Sequence, residues 1–417
     1  LGFEAIFAGH RPRVFGQPFY SGWGLTEDEN PVPRRQRRLT RAQLFAAAMM
    51  LYPTWYDPYR DRLCELEGVL DTLEAQVRAW REDRHGWTAS GMRLWKRRPL
   101  QAMFGRPKRM IFSDDPAKAD QIGRRRMVWA SRARAEEDAV RVEDGFLRSR
   151  GLGAELVPPL SLVTDDLGIY YDPRAPSRLE HLIAARAELR TDQLLRAERL
   201  IASLTDAGLS KYNLGGKTYD LPPGRRILVP GQVEDDASIR TGAGEVNTNL
   251  SLLQAARAAN PDAVIVYKPH PDVEAGLRQG RTEAGELADV IAPHADPAAL
   301  LAQVDEVWTM TSLMGFEALL RGVQVTTLGA PFYAGWGLTR DLGEIPERRR
   351  ARPTLAGLVH ATLIDYPRYR DPVTGLPCPV EVIVERLSTG TVPRPGLANR
   401  TVSKLQGVFA TYAHLWR

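Results

Sequence analysis

The chain has few of the residues that hold metals or form disulfides. It contains two cysteines and seven histidines in 417 residues. Two cysteines are too few for a disulfide framework, and they favour a packing role in a reducing compartment. The histidines are scattered, and no spacing typical of a metal site is present. The sequence therefore predicts neither a metal centre nor a disulfide.

Long apolar runs are also missing. None reaches the roughly 18 residues of a membrane-spanning helix, and the Gly-rich Walker and dinucleotide fingerprints are absent. With 43% hydrophobic and 26% charged residues, the composition is that of a soluble globular protein. The length suffices for at least two cores, because single cores stop growing at about 250–300 residues.

Negative charge is in the minority. The formal net charge is +5 and the pI is about 9.2, mainly because arginines cluster along the chain. Such a balance favours anionic partners, namely a nucleotide, an acidic sugar or an anionic lipid surface. Solvated helix faces explain any single cluster equally well. Nucleic acid is disfavoured, because most clusters lack interleaved aromatics and no nucleic-acid motif is present.

One segment occurs twice. Residues 2–26 and 315–339 are identical at 14 of 25 positions, at an offset of 313, and the match resumes after one inserted residue as far as Cys64 and Cys378. A period this long indicates duplication of a whole globular module. The second copy follows a domain's length of sequence and the first does not. We therefore expect the tail of one module followed by one complete module.

Short apolar segments alternate with helical stretches from residue 108, and a second alternating series begins at Ile227 after a break rich in Gly and Pro. This pattern predicts an α/β fold with two Rossmann-like domains facing a cleft, where ligands bind beyond the carboxyl ends of the strands. The predicted parts are a C-terminal remnant of the first module (1–79), a linker (80–107), an N-terminal Rossmann-like domain (108–222), a C-terminal nucleotide-binding Rossmann-like domain (223–345), and C-terminal helices with a tail (346–417).

The linker is basic and aromatic, and we expect it to carry a short amphipathic helix. Residues 87–108 and the tail Phe409–Arg417 suggest contact with an anionic membrane surface. Packing across two domains is the alternative reading of the linker.

Two strand ends in the second series carry groups suited to an anion. His270 can donate hydrogen bonds to a phosphate. A lone histidine at a strand end is more often structural, but the flanking prolines and Lys268 favour the functional reading here. Thr311 and Ser312 are placed to cap a helix whose N–H groups favour a phosphate. Glu317, one turn later, could hold ribose hydroxyls or a base. An ordinary N-cap also explains these residues.

Glu143 and Asp144 end a predicted strand just before Gly145. Asp144 could present a carboxylate to a cleft as a nucleophile or base, but a plain turn explains the Asp-Gly pair equally well. Two further polar runs, 210–213 and 229–238, could bind sugar hydroxyls or remain solvated loops. Their candidate substrate-binding residues are Lys211, Tyr212, Asn213, Gln232 and Asp235.

Together, residues 143–149, 268–271 and 311–317 and the duplicated Pro-Phe-Tyr-x-Gly-Trp-Gly-Leu-Thr resemble the KpsC family, the dual-module β-Kdo glycosyltransferases of bacterial capsule polysaccharide export. The resemblance implies modules similar to GT-B enzymes that transfer Kdo from CMP-Kdo. Their product is the short β-Kdo linker between a capsule and its phospholipid anchor. The two modules make 2→4 and 2→7 linkages, and by its order the complete module here resembles the β-(2→7) one.

The same resemblance implies roles for individual residues. Asp144, beside Glu143, becomes the nucleophile of a retaining double displacement that needs no metal, and His270 holds the CMP phosphate. The implied nucleotide-binding set is Lys268, His270, Pro271, Thr311, Ser312 and Glu317. Arg148 and Arg150 are candidates to bind the Kdo carboxylate, and Ser149 is a candidate substrate-binding residue.

The implied partners are CMP-Kdo, a phosphatidylglycerol glycolipid ending in β-Kdo, the anionic inner membrane and the capsule export machinery, with no nucleic acid. The implied location is cytoplasmic, with peripheral contact to the inner membrane. Two rival functions stay open. One is a transferase that uses another CMP-sugar, and the other is a non-catalytic export protein that binds the glycolipid.

Overall fold

The computed structural model describes residues 1–115, 117–134, 137–151, 157–274 and 284–393. The chain divides into two compact units, Leu1–Glu74 and the chain from Ala75 onward. Each unit is described by itself.

The first unit is built from short elements. Thr40 starts its second helix with a capping box: the Thr40 side chain accepts from the Gln43 backbone, and the Gln43 side chain accepts from that of Thr40. The unit contains α1 (Gly2–Phe7), β1 (Arg13–Val14), β2 (Glu27–Asp28), α2 (Arg41–Phe45), a π-helix (Ala46–Leu51), β3 (Trp55–Asp57), β4 (Arg62–Cys64) and the start of α3 (Leu66–Asp83). β1 and β2 pair in parallel, and β3 and β4 pair antiparallel.

The second unit opens with an α/β domain. Its elements are β5 (Trp87–Ser90), α4 (Leu94–Phe104), β6 (Ile111–Phe112), α5 (Ala117–Gln121), β7 (Arg125–Trp129), β8 (Val140–Asp144), β9 (Ser161–Asp165), α6 (Arg178–Ala185) and α7 (Thr191–Asp206). Apolar side chains of the strands pack into a core that contains Trp87, Phe104, Met127 and Val142. This core sits between the sheet and α4.

A second α/β domain follows. Its elements are β10 (Arg226–Pro230), α8 (Ala237–Gly242), α9 (Asn249–Ala259), β11 (Val264–Lys268), α10 (Pro271–Glu274), β12 (Val290–Ile291), α11 (Pro297–Leu301), β13 (Glu306–Thr309), α12 (Leu313–Leu319), β14 (Gln324–Thr327) and β15 (Arg340–Asp341). The six strands form one parallel sheet in the order β12-β11-β10-β13-β14-β15. Its near-continuous apolar strands are typical of a sheet covered on both faces.

The chain then returns to the first domain. The remaining elements are α13 (Leu355–Val359), a π-helix (His360–Asp365), β16 (Pro367–Arg370), β17 (Pro377–Cys378) and α14 (Val380–Thr389). β16 and β17 extend the first sheet, whose order is β17-β16-β9-β8-β7-β5-β6. This sheet is mixed, because β9 follows β8 without a crossover helix and so pairs with it antiparallel.

The structure differs from the predicted domain limits in two places. The segment predicted as a linker contains β5, which lies between β6 and β7 in the first sheet. Its aromatic residues Trp87 and Phe104 are buried in the core rather than presented to a membrane. The segment predicted to be helical after residue 345 supplies two strands as well. The tail Phe409–Arg417 lies outside the described residues.

A candidate active site in the cleft between the two sheets

The carboxyl ends of strands from both sheets of the second unit border one cleft of about 1080 Å³. β8 contributes Glu143 and Asp144, and β11 contributes Lys268. The turn after β13 contributes Thr311 and Ser312. Ligands of open α/β sheets bind at this edge, because the loops that follow the strands converge there. The cleft is therefore the candidate active site.

Asp144 is held in place from behind the cleft. The Nε of Arg148 donates to Asp144 Oδ2 at 2.8 Å, with 1% of the arginine side chain exposed and 23% of the aspartate. Burial pushes the pKa of Asp144 upward, but the charges of Arg148 and Lys96 outweigh it and hold that pKa below its ordinary value. Gly145 follows because a Cβ there would meet Ser161 Oγ at 2.4 Å. Asp144 is thus an ionised carboxylate that the cleft can reach.

Glu143 has the opposite electrostatics. Burial raises its pKa to about 7, the nearby charge of Asp144 adds to the rise, and Lys96 opposes it. Burial also lowers the pKa of Lys96 to about 8, against the pull of both carboxylates. Two adjacent carboxylates therefore differ in protonation near neutral pH, as expected of a nucleophile beside an acid–base group.

The arginines predicted to bind substrate lie elsewhere. The Nε of Arg148 donates to Asp144, and its Nη1 donates to Ser149 Oγ and to the Val157 carbonyl. Ser149 is buried and its hydroxyl donates to a backbone carbonyl. Arg150 lies against Gly390 at the end of α14. Sequence spacing places these residues near Asp144 but cannot show that their side chains point behind it.

The turn at residues 210–213 joins the two domains beside the cleft. The Lys211 N–H donates to Glu317 Oε1 at 2.9 Å, and the Lys211 carbonyl accepts from the backbone N–H groups of Arg148 and Ser149. Lys211 and Tyr212 line the cleft, whereas Asn213 fixes the turn by donating to the Ser149 carbonyl. Burial opposes the charge of Lys211, but Tyr212 and the acidic groups around it raise its pKa.

His270 and Lys268 face the carboxylates from the second domain. His270 Nδ1 accepts the backbone N–H of Asp272 at 3.1 Å, which puts the proton of a neutral ring on Nε2. Lys268 is buried, and burial lowers its pKa although Glu274 and Glu317 favour the charge. Pro271, which also lines the cleft, begins α10. This wall can donate hydrogen bonds and positive charge to an anion.

The neighbouring wall is braced by Gln232. Its Nε2 donates to Thr311 Oγ1 at 3.0 Å and its Oε1 accepts the Thr311 N–H at 3.0 Å. Ser312 caps α12 by accepting the Met314 N–H. Burial raises the pKa of Glu317, whose carboxylate holds the 210–213 turn. Gln232 is therefore a support for the cap, whereas Asp235 is exposed at the rim of the cleft.

Several residues in or beside the cleft were not predicted. Arg93 caps the start of α4 and Arg240 lies on α8, and both line the cleft. Lys96 lies one turn into α4, with its Nζ 2.8 Å from the centroid of the Trp129 ring. The basic stretch that contains Arg93 and Lys96 was visible in the sequence. That this stretch lies beside the cleft could be known only once β5, which precedes it, had been placed in the first sheet.

Two Rossmann-like domains that border one cleft, with Glu143 and Asp144 at a strand end of the first and Lys268 at a strand end of the second, define a GT-B-like protein. The family described as "Capsule polysaccharide biosynthesis protein" matches residues 1–54, 120–215 and 216–369. The chain belongs to this family.

Curated relatives agree with this assignment. The "Capsule polysaccharide modification protein LipA" of Neisseria meningitidis serogroup B is 43% identical over 398 residues, which cover 90% of this chain and 56% of that protein. The "Lipopolysaccharide-processing protein LpsZ" of Rhizobium meliloti is 48% identical over 237 residues, or 55% of this chain and 54% of that protein. The chain thus spans about half the length of the curated relatives it matches.

Two solved structures match the fold. Both are of Thermosulfurimonas dismutans KpsC, one titled a beta Kdo 2,4 transferase with a TM-score of 0.66 and one a beta Kdo 2,7 transferase with a TM-score of 0.60. Each is 34% identical to this chain and covers 73% of it, and the match takes in 98% and 99% of the respective relative. The predicted GT-B-like class and the resemblance to KpsC are confirmed.

The described residues contain neither a membrane-spanning helix nor a cluster of metal ligands. In this part of the chain no helix combines the length and apolarity needed to cross a bilayer. Nor do three or more His, Cys, Asp or Glu side chains in the same ranges gather as a metal site.

Proposed function

We propose that this chain is a retaining β-Kdo glycosyltransferase of capsular polysaccharide linker biosynthesis. It transfers Kdo from CMP-Kdo to a glycolipid that ends in β-Kdo. The observation that carries the proposal is the cleft itself, where ionised Asp144 faces the Lys268–Pro271 turn across the two sheets. The similarity to two KpsC structures described as beta Kdo transferases supports the choice of sugar.

In the first step Asp144 attacks C2 of Kdo. An Asp144–C2 ester bond forms, the bond from C2 to the phosphate oxygen breaks, and its electron pair leaves with CMP. Arg148 keeps Asp144 ionised and oriented for this attack. His270 Nε2–H, Lys268 and the N–H groups near Ser312 neutralise the departing phosphate.

In the second step a hydroxyl of the acceptor attacks C2 from the face that CMP has left. The new glycosidic bond forms, the ester bond to Asp144 breaks, and the proton of the hydroxyl passes to Glu143. A pKa of about 7 suits Glu143 to this transfer, because a general base works best near the operating pH. Two inversions leave the β configuration of the donor unchanged.

The nucleotide lies against the second domain in this proposal. Thr311 and Ser312 hold the phosphate side and Glu317 the ribose side, with Pro271 shaping the turn that carries His270. Lys211 and Tyr212, from the turn between the domains, contact the sugar. The positive charge needed by the leaving group comes from side chains, and we propose that transfer needs no metal and continues in EDTA.

Membership of a capsule polysaccharide biosynthesis family supports a proposal for the acceptor and the location. We propose a phosphatidylglycerol glycolipid ending in β-Kdo, presented at the cytoplasmic face of the inner membrane near the capsule export machinery. The order of modules carries the proposal of a β-(2→7) linkage.

The test is transfer from CMP-Kdo to a synthetic acceptor ending in β-Kdo, followed by mass spectrometry. CMP-sialic acid and UDP-sugars serve as control donors. The expected product carries one added Kdo, only from CMP-Kdo, and NMR of that product reads the linkage. Transfer from CMP-sialic acid instead would identify another CMP-sugar transferase. No transfer by a folded chain that binds CMP would favour a non-catalytic glycolipid-binding protein.

A further inference from the structure

Two arginines that line the cleft have no part in the proposed chemistry. Arg93 reaches the cleft from the start of α4 in the first α/β domain, and Arg240 reaches it from α8 in the second. Both residues are exposed. Lys211 and Lys268, the lysines that line the same cleft, are half-buried and buried respectively. The cleft therefore offers two kinds of cation, one shielded from solvent and one open to it.

The backbone around Arg240 is connected to the strand end that carries Asp144. The hydroxyl of Thr241, the next residue, lies within hydrogen-bond distance of the Tyr171 carbonyl, at 3.0 Å. The hydroxyl of the adjacent Tyr170 donates to the Asp144 carbonyl at 3.3 Å, and the rings of the two tyrosines pack edge to face. Arg240 is thus carried by a helix whose contacts lead directly to the candidate nucleophile.

The guanidinium of Arg240 is available to a ligand. In the part of the chain that the structure describes, this side chain donates no hydrogen bond and forms no ion pair. The loop before α8 also places the exposed carboxylate of Asp235 at the rim of the cleft. An acidic sugar offers a carboxylate to an arginine and hydroxyl donors to an aspartate, whereas a fully ionised phosphate offers no donor to Asp235.

We propose that Arg93 and Arg240 form a subsite for the carboxylate of the terminal sugar of the acceptor. The inference rests on the proposed function and deepens it, because an acceptor that ends in β-Kdo is an acidic sugar. Two arginines from different domains make acceptor binding depend on both walls of the cleft. A guanidinium suits this task because it can bind a carboxylate through two parallel hydrogen bonds.

The donor carries a carboxylate as well, and exposure distinguishes the two sugars. The donor sugar lies against Asp144 and must be kept from water while it is bound to the protein, so a shielded cation such as Lys211 suits it. The acceptor arrives second and extends out of the cleft toward its lipid. Its acidic group therefore meets the exposed cations, which are Arg93 and Arg240.

The arginines that the sequence suggested for a carboxylate do not compete for this role. Arg148 donates to Asp144 from behind the cleft, and Arg150 lies against Gly390. Neither of them lines the cleft, whereas Arg93 does. The positions of the two domains, rather than closeness in sequence to Asp144, bring Arg93 and Arg240 to the substrate.

The test uses acceptors that differ in one group. The terminal Kdo of a synthetic acceptor with a neutral, phosphate-free aglycone carries either its carboxylate or a carboxamide. The full wild-type chain should prefer the carboxylate by at least about tenfold in KM, the effect of a charge-assisted hydrogen bond. Arg93→Gln and Arg240→Gln should each lose much of this preference through a higher KM for the carboxylate acceptor. The double variant should lose it entirely.

The matched control is Arg199→Gln, an exposed arginine on α7 that does not line the cleft. It should keep the wild-type preference. Arg93 begins α4 without a side-chain capping bond, so Arg93→Gln removes no cap. The KM for CMP-Kdo should stay unchanged in all variants. A higher KM for CMP-Kdo with the acceptor preference intact would assign the arginines to the donor and overturn the proposal. An equal loss with both acceptors would also overturn it, because the carboxylate would then have no part in the effect.

A second readout needs no transfer. Saturation-transfer NMR measures how the chain, loaded with CMP, binds the two acceptors. The wild-type chain should bind the carboxylate form more tightly, and the double variant should bind both forms alike. Equal binding of the two forms by the wild-type chain, or no binding, overturns the subsite. A wild-type chain that binds the carboxylate form preferentially but transfers no Kdo supports the subsite and overturns the proposed transferase function.

Discussion

The tryptophan of the duplicated segment makes the same hydrogen bond in both copies. The indole N–H of Trp23 donates to the Phe19 carbonyl, and that of Trp336 to the Phe332 carbonyl, each at 2.7 Å. Other local features also recur. They are the capping Thr40 and Thr354, the π-helices Ala46–Leu51 and His360–Asp365, the pairs β1-β2 and β14-β15, and the pairs β3-β4 and β16-β17.

The surroundings of the two copies differ. The side chain of Phe19 is 56% exposed and that of Phe332 is 4% exposed, because Phe332 packs on Phe146 of the first α/β domain at 4.8 Å between ring centroids. The same contrast separates Tyr52, which is 90% exposed, from the fully buried Tyr366. Short-range sequence therefore determines the backbone of the segment, and distant residues determine what it buries.

The difference extends to the site. Glu317 in the second copy is buried and accepts the Lys211 N–H, whereas the side chain of its counterpart Glu4 is exposed. Its burial and its hydrogen bond to Lys211 distinguish the glutamate of the second copy from that of the first. Four predictions test this contrast.

The largest effect is expected from Asp144→Ala, which tests whether the chemistry belongs to the unit that contains the second copy. Loss of the nucleophile should slow transfer by about 10⁴-fold or more. CMP binding should persist, because the nucleotide contacts lie on the second domain. Transfer is measured by mass spectrometry and CMP binding by calorimetry. Unchanged transfer would remove Asp144 as the nucleophile.

The next effect concerns burial. Phe332→Ala should destabilise its unit by about 3–5 kcal/mol, the usual cost of removing a buried phenylalanine. Phe19→Ala should cost about 1 kcal/mol or less, because most of its side chain is already exposed. Hydrogen exchange of peptides from each copy reports the free energy of opening. Equal losses in the two variants would refute the contrast.

A smaller effect is expected at the paired glutamates. Glu317→Ala leaves the Lys211 N–H without its acceptor and should weaken CMP binding about tenfold, in line with the cost of an unsatisfied buried donor. Glu4→Ala is the matched control and should bind CMP as wild type does. Calorimetry measures both affinities, and a normal affinity in Glu317→Ala would contradict the role of the turn.

The smallest effect is expected at a pair of equivalent aspartates, where the two copies should behave alike. Burial raises the pKa of Asp57 and of Asp371, but Arg60 and Arg386 respectively outweigh it and hold both pKa values below normal. Each carboxylate therefore adds stability above its unfolded pKa, and that stability disappears as the pH falls through the lower folded value. Each Asp→Asn variant should lose about 1 kcal/mol at neutral pH.

The measurement is acid unfolding followed by circular dichroism. Each Asn variant should show a shallower decline in stability below about pH 4, where the wild-type carboxylate takes up its proton. A decline as steep as that of wild type in only one variant would show that the two carboxylates differ after all.

Sequence patterns predicted much of the fold, because most strands are apolar segments that can be recognised from their own residues. β6, β7, β8, β10, β11, β12, β13 and β14 lie within the two alternating series that were predicted to begin at residues 108 and 227. β5, β9 and β16 were missed: β5 falls in the segment predicted as a linker, and β16 falls in the segment predicted as C-terminal helices and pairs with β9 from there. Sheet membership of such strands cannot be derived from periodicity.

Part of the candidate site was also predicted from the sequence. The strand-end rule brought Asp144, His270 and Ser312 to one cleft, as the structure has them. Arg148 was expected to meet the substrate and instead supports Asp144, because burial is not visible in spacing. Lys96 was not predicted as a site residue because, like β5, it lies in the segment predicted as a linker.

The return of the chain to the first sheet limits how the cleft can change shape. The first and second α/β domains are joined once between α7 and β10, and again between β15 and β16. A pair of bodies with two covalent crossings cannot twist freely about either one. Opening is therefore restricted to rotation about an axis that passes near both crossings, a motion with a single degree of freedom.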